Sequence, residues 1–224
     1  RSITSGDSNV AIGGSALAAV SSASHNIGIG TEALATHTNG SRNIAIGFEA
    51  MHDTDDHADV KGSSDNVFIG YQSGSGTWDT NDSNYNIGIG NYTLDAALNG
   101  VEGAVAIGHN ALTALKTGVK NVAIGFESGK AVTTGQRNTV LGHQAFLTSV
   151  DADECVAIGN YAMAANATQD GTVAIGRSSL STLTGSLGST SIGYQSGKNV
   201  TTADYSTALG YNTLGGNSST ALTG

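Results

Sequence analysis

One short phrase of bulky and small residues returns twelve times along this chain. Three positions before a recurrent glycine stands a β-branched residue: Val10, Ile27, Ile44, Val67, Ile87, Val105, Val122, Thr139, Val156, Val173, Thr190 and Thr207. The position directly before the glycine is always Ile or Leu, as at Ile12, Ile46, Ile124 and Leu209. Between the two sits a mostly small residue such as Ala11, Gly28, Ala45, Ala123 or Ala174. Positions two apart share one face of a strand, so the phrase predicts a short strand with one bulky face and one flat face. The glycines are Gly13, Gly30, Gly47, Gly70, Gly90, Gly108, Gly125, Gly142, Gly159, Gly176, Gly193 and Gly210. Their spacings are 17, 17, 23, 20 and 18, then 17 six times, which makes twelve copies of one unit with three insertions.

After the glycine the unit reads x-x-small-Leu, as in Ala16-Leu17, Ala33-Leu34 and Ala111-Leu112, with Gly74, Gly129 and Gly197 in the Leu position of three copies. About seven residues before the glycine lies a second turn signal, for example Asn39-Gly40, Thr117-Gly118 and Thr134-Gly135. Each unit is therefore expected to hold two short strands and two turns. The period of two, with glycine in every unit, argues against helix.

A unit of this size cannot bury its own bulky face, but stacked units can, each Ile lying over the Ile of the next rung. The fold class expected is all-β: a parallel β-roll or β-solenoid of about twelve coils, rising about 4.8 Å per rung to a rod of roughly 55–60 Å. On this reading the Ile/Val face lies inside and the Ala/Gly face lies outside. A long, flat, uncharged outer face is an aggregation hazard on a single chain, so the coils are expected to associate side by side as a homotrimer.

Composition narrows the functions. There are 32 glycines, no proline, one cysteine and 9 Lys or Arg against 18 Asp or Glu, a net charge of −9. The glycine belongs to the repeated corners, and proline would remove donors that rung-to-rung pairing uses. The scattered cations build no basic face, which excludes a nucleic-acid interface and binding to anionic membrane. No apolar run is long enough for membrane insertion by this segment, and one cysteine makes no disulfide framework within one chain. The start at Arg1, and a thirteenth copy that begins at Ser218-Ser219-Thr220-Ala221-Leu222, suggest that residues 1–224 are a single repeat array within a longer fibre.

The phrases Asn121-Val122-Ala123-Ile124-Gly125, Asn43-Ile44-Ala45-Ile46-Gly47 and Thr172-Val173-Ala174-Ile175-Gly176 resemble the head repeats of trimeric autotransporter adhesins. The 17-residue spacing, with Gly193-Tyr194-Gln195 and Gly210-Tyr211-Asn212, is similar to repeats of tailed-phage tail fibres. The resemblance implies a parallel β-roll packed three around an axis, on an extracellular surface fibre or a virion tail, engaging host cells or matrix.

Candidate sites lie first in the insertions, at 51–65 and 74–85. One carries Met51, His52, Asp53, Asp55, Asp56, His57 and Asp59, and the next carries Trp78, Asp79, Asp82 and Tyr85. Both follow the same part of consecutive units, so they are expected to stack into one patch. Trp78 would serve there as a stacking platform for a sugar, with the carboxylates of Asp53, Asp55, Asp56, Asp59, Asp79 and Asp82 taking its hydroxyls or Ca²⁺. His52, Asp53, Asp55 and His57 are the residues to hold a metal, although their spacing matches neither an EF-hand nor a nonapeptide calcium roll. The bland alternative is a pair of solvated loops.

Directly after the corner glycine runs a stripe of Phe48, Tyr71, His109, Phe126, His143, Tyr194 and Tyr211, expected to stack as a rigidifying ladder. Beside it runs a polar stripe of Glu32, Glu49, Gln72, Glu127, Gln144, Gln195 and Asn212. Asn9, Asn26, Asn43, Asn66, Asn86, Asn121 and Asn138 open their tetrads and predict an amide ladder, with Cys155 in the same column. Gly28-Ile29-Gly30-Thr31-Glu32-Ala33 has the form of a dinucleotide fingerprint but opens no helix, and the repeat already accounts for its glycines. No catalytic constellation is assignable, so no enzyme and no cofactor is expected. The sequence favours a structural and adhesive fibre segment that recognises itself and a cell-surface glycan or protein receptor. An ice-binding solenoid and a polysaccharide-depolymerising spike are the alternatives.

Overall fold

The computed structural model describes residues 6–54, 62–165, 170–185, 188–202 and 204–214. The partial thirteenth copy at Ser218–Leu222, and Asp55, Asp56, His57 and Asp59, lie outside these residues. Twelve three-residue strands, from β1 (Val10–Ile12) to β12 (Thr207–Leu209), form one parallel sheet in strict chain order. Each strand pairs in register with the next copy of the same phrase; Val105, Ala106 and Ile107 face Val122, Ala123 and Ile124. The chain is a β-solenoid of about eleven turns, and register survives all three insertions, so Ile46 still pairs with Ile69 across the longest one.

Each coil contributes one regular strand rather than two. The rest of the coil bends through residues of positive φ, such as Glu49 at 54° and Met51 at 52°, too sharply for a second strand. Rung-to-rung bonding nonetheless continues there: the amide of Leu34 donates to Ala50 O at 3.0 Å, and that of Met51 to Ser73 O at 2.9 Å.

The faces of the strand are the reverse of the sequence expectation. From β2 (Ile27–Ile29) onward the middle residue of every strand is buried, while the flanking Ile, Val, Leu and Thr are half-buried or exposed. A 17-residue coil is too narrow to admit two Ile layers. The lumen is filled from the opposite wall instead, by Leu17, Leu34, Met51, Leu94, Leu112, Phe146, Met163 and Leu180. A small residue at the strand centre is what makes room for them: a Cβ on Gly28 would lie 3.1 Å from the Leu17 side chain.

Wall glycines are filled in two ways: Gly129 and Gly197 lie under Leu112 and Leu180 of the preceding coil, and Gly74 is met from the strand. Where Gly74 replaces the wall leucine, the strand centre of that coil is Phe68, and a Cβ on Gly74 would sit 2.7 Å from its ring. Interiors of this density tolerate exchanged volumes better than added ones.

Two devices close the coil. The corner glycines adopt φ between +117° and +143°, and at Gly142 an added Cβ would also come within 2.6 Å of Gly159 O. The buried asparagines form the expected ladder. Asn43 Oδ1 accepts the Asn66 amide at 3.0 Å while Asn43 Nδ2 donates to Ser63 O at 2.9 Å, and Asn66 repeats both contacts with Asn86 and Ser83. Cys155 occupies the same column, its amide donating to Asn138 Oδ1 at 2.9 Å.

The inverted faces set an expectation for denaturant unfolding. Measured in dilute solution, where copies are apart, Ala106→Leu overpacks the lumen and is predicted to lower stability by about 1–3 kcal/mol, whereas Ile107→Thr, on the outer surface of the same strand, costs about 1 kcal/mol or less. Equal effects, or the reverse order, would contradict the assignment.

Candidate functional site

The two insertions do stack where both are described. The Trp78 amide donates to Asp53 O at 3.0 Å, and the Gly62 amide to Asp82 Oδ1 at 3.1 Å. Trp78, however, is fully buried and meets Phe68 edge-on at 5.8 Å, in the core column that His37, Leu98 and Leu115 occupy in other coils. The extra apolar volume at this rung plugs the lumen, so Trp78 offers no surface to a sugar, which corrects the sequence expectation. Its indole N–H has no hydrogen-bond partner among the described residues.

The described carboxylates of the patch are engaged locally. Asp53 Oδ1 lies 2.6 Å from His52 Nδ1. Asp79 caps the Thr80 amide at 2.8 Å and accepts from Asn99 at 3.3 Å. Tyr85 is exposed, but it sits at the edge of the strand face. Among the described residues no group of three His, Cys, Asp or Glu is placed to hold a metal ion.

The long surfaces of the rod are more extended than the patch. The outward Val/Ile and Ile/Leu positions run along all twelve strands without a charge; Ile89 is 38% and Leu141 44% exposed. On one border of this face, directly after the corner glycine, stands the aromatic column. Phe48 stacks on Tyr71 at 5.2 Å, His109 on Phe126 at 5.4 Å, Phe126 on His143 at 5.2 Å and Tyr194 on Tyr211 at 5.2 Å, with interplanar angles of 10° to 21°.

Sequence reading missed three members. Where Asn91 and Asn160 take the column position, the next residues, Tyr92 and Tyr161, turn their rings into the gap, edge-on to their neighbours at 69° to 82°. Arg177 continues the line by placing its guanidinium 5.7 Å over Tyr194. The signal was legible as Asn-Tyr in place of an aromatic residue followed by a polar one.

The opposite border lies five positions before the corner glycine and holds a column that includes Arg42, Asp65, Tyr85, Lys120, Arg137 and Glu154. Within it Arg42 grips Asp65 through Nε at 2.5 Å and Nη2 at 2.6 Å, and Arg137 Nε meets Glu154 at 3.0 Å. The guanidinium holds the Asp65 carboxyl below its ordinary value. The polar stripe beyond the aromatics pairs along the axis as well, Gln144 donating to Glu127 at 2.6 Å, while Lys130 meets Glu127 within its own coil at 2.7 Å.

Two groups lie deeper. Burial pushes the Cys155 thiol up to about 11, which keeps it protonated in the column it shares with the asparagines. Burial also raises the Asp95 carboxyl despite a 2.7 Å hydrogen bond from Ser75 Oγ.

Neither a protein family, nor a curated protein, nor a solved structure matches this chain.

The Asp95 environment gives a pH expectation. A carboxyl raised in the native state binds more protons folded than unfolded, so its contribution worsens as pH rises from about 4 through the raised native value. Asp95→Asn is therefore expected to melt higher than the parent at pH 7, the gap closing below about pH 4. A lower melting temperature at pH 7 would show that the ionised carboxylate is stabilising instead.

Proposed function

We propose that the chain is a structural and adhesive segment of a homotrimeric fibre, on a phage tail or a bacterial surface, that holds loops at fixed heights for attachment to a cell-surface glycan or protein. The observation that carries this reading is the uncharged outward Val/Ile face. It runs about 50 Å by about 10 Å along the rod, at the upper end of what single soluble chains expose. Such a face is stable in water when another copy covers it. Threefold repetition of weak loop contacts then raises avidity without strong single contacts.

The surface that calls for association is the Ile/Val face, since the Ala/Gly face lies inside. Ice binding is less well supported, because the outward strand positions hold Thr only at Thr139, Thr190 and Thr207 and are otherwise aliphatic. Depolymerisation would call for paired carboxylates lining a groove, and Asp53 and Asp79 are engaged with His52, Thr80 and Asn99.

Light scattering at micromolar concentration is expected to give three times the 22.4 kDa of one chain. Ile107→Asp with Ile124→Asp, two carboxylates in the middle of the face, is expected to give a folded monomer. A wild-type chain that is monomeric at that concentration would overturn the proposal.

A further inference from the structure

The two borders of the outward face differ in chemistry, and rotational symmetry decides how they meet. When parallel copies are related by rotation about an axis along the rod, one border of each face lies against the opposite border of its neighbour. The meeting occurs at equal height, rung for rung. This holds for two, three or more copies and does not depend on the spacing between them.

We propose that the charged border of one copy docks on the aromatic border of the next, with Arg42, Lys120 and Arg137 placed on the neighbour's aromatic column. The occupant of the face is a second copy of this chain, parallel and without stagger. The inference rests on the side-by-side association proposed above and adds its contact chemistry and register.

Several observations carry it. Arg42 belongs to the coil of Phe48, Lys120 to that of Phe126 and Arg137 to that of His143, so each cation of the charged border comes level with a ring of its neighbour. The side chains of Arg42 and Arg137 remain 60% and 49% exposed although each is paired within its own chain. Phe48, Tyr71 and Phe126 are 41% to 44% exposed. Their mutual stacking covers the ring faces and turns ring edges outward, so the contact expected is the apolar stem of each Arg or Lys laid along the ring edges with its charged head kept in water.

The pattern is complementary in its gaps too. The charged border is glycine at Gly171 and Gly188, the coils in which the aromatic border carries the large side chains Arg177 and Tyr194. The face and its borders span six residues from one column to the other. Over the rod that comes to roughly 1,000 Å², against the roughly 800 Å² each partner contributes to a standard stable interface.

Paired cysteines test the docking in a Cys155→Ser background, which places at this column the residue that Ser189 and Ser206 supply elsewhere. Lys120→Cys and Phe126→Cys are made singly and together, then treated with a short bis-maleimide, with the mass of each variant checked by light scattering. The double variant is expected to give covalent multimers up to the size of the native assembly, and each single variant only monomer on a denaturing gel. Cross-linking of the single variants would mean that like borders meet, and would overturn the proposal. Absence of cross-linking in the double variant while the chain remains multimeric would overturn the docking and leave the association standing. A monomeric wild-type chain would remove both.

Discussion

The width of a 17-residue coil governs this molecule. A strand face and the facing wall stand so close that their side chains share one layer of volume, and each coil must divide that layer between them. In most coils the wall takes the larger share through Leu or Met and the strand centre is left with Ala, Gly or Ser, although Val140 lies in the same coil as Phe146. When the wall gives up its side chain, as at Gly74, the strand centre becomes Phe68. The Ile and Val residues that look like core in the sequence are therefore turned outward, and the exposed apolar face is a consequence of how the lumen is filled.

In-register stacking turns each choice in the unit into a column. Corner glycines recur where backbones of successive rungs approach within contact distance. Amide ladders satisfy interior polar groups that a narrow coil cannot hydrate, since an unmade buried hydrogen bond costs about 1–3 kcal/mol. The same stacking converts single aromatic and charged positions into borders running the length of the rod. A surface with an aliphatic centre, a charged margin and an aromatic margin has a handed pattern, and that pattern carries enough information to orient one rod against another.

Much of this was legible in the sequence. The period, the parallel register, the corner role of Gly13 through Gly210, the asparagine ladder with Cys155 in it and the stacking of Phe48 on Tyr71 all follow from spacing, because a stacked coil repeats whatever its unit contains. What spacing leaves open is the sign of each face. Alternation of Val-Ala-Ile states that two faces differ, and lumen width, a three-dimensional quantity, decides which one is inside. The same gap explains Trp78: an insertion rich in Asp and Gly suggests surface, yet the indole fills a core column. Tyr92 and Tyr161 were hidden for a simpler reason, since they reach the aromatic column from the adjacent position.

Cysteine accessibility at adjacent positions of one strand addresses the inverted face most directly. In a Cys155→Ser background, Ala123→Cys is expected to resist maleimide at every protein concentration until the chain unfolds. Ile124→Cys is expected to react readily in dilute solution and to become protected as the concentration rises and copies associate. Concentration-dependent labelling at position 123, with position 124 protected throughout, would place the Ile face inside and contradict the account.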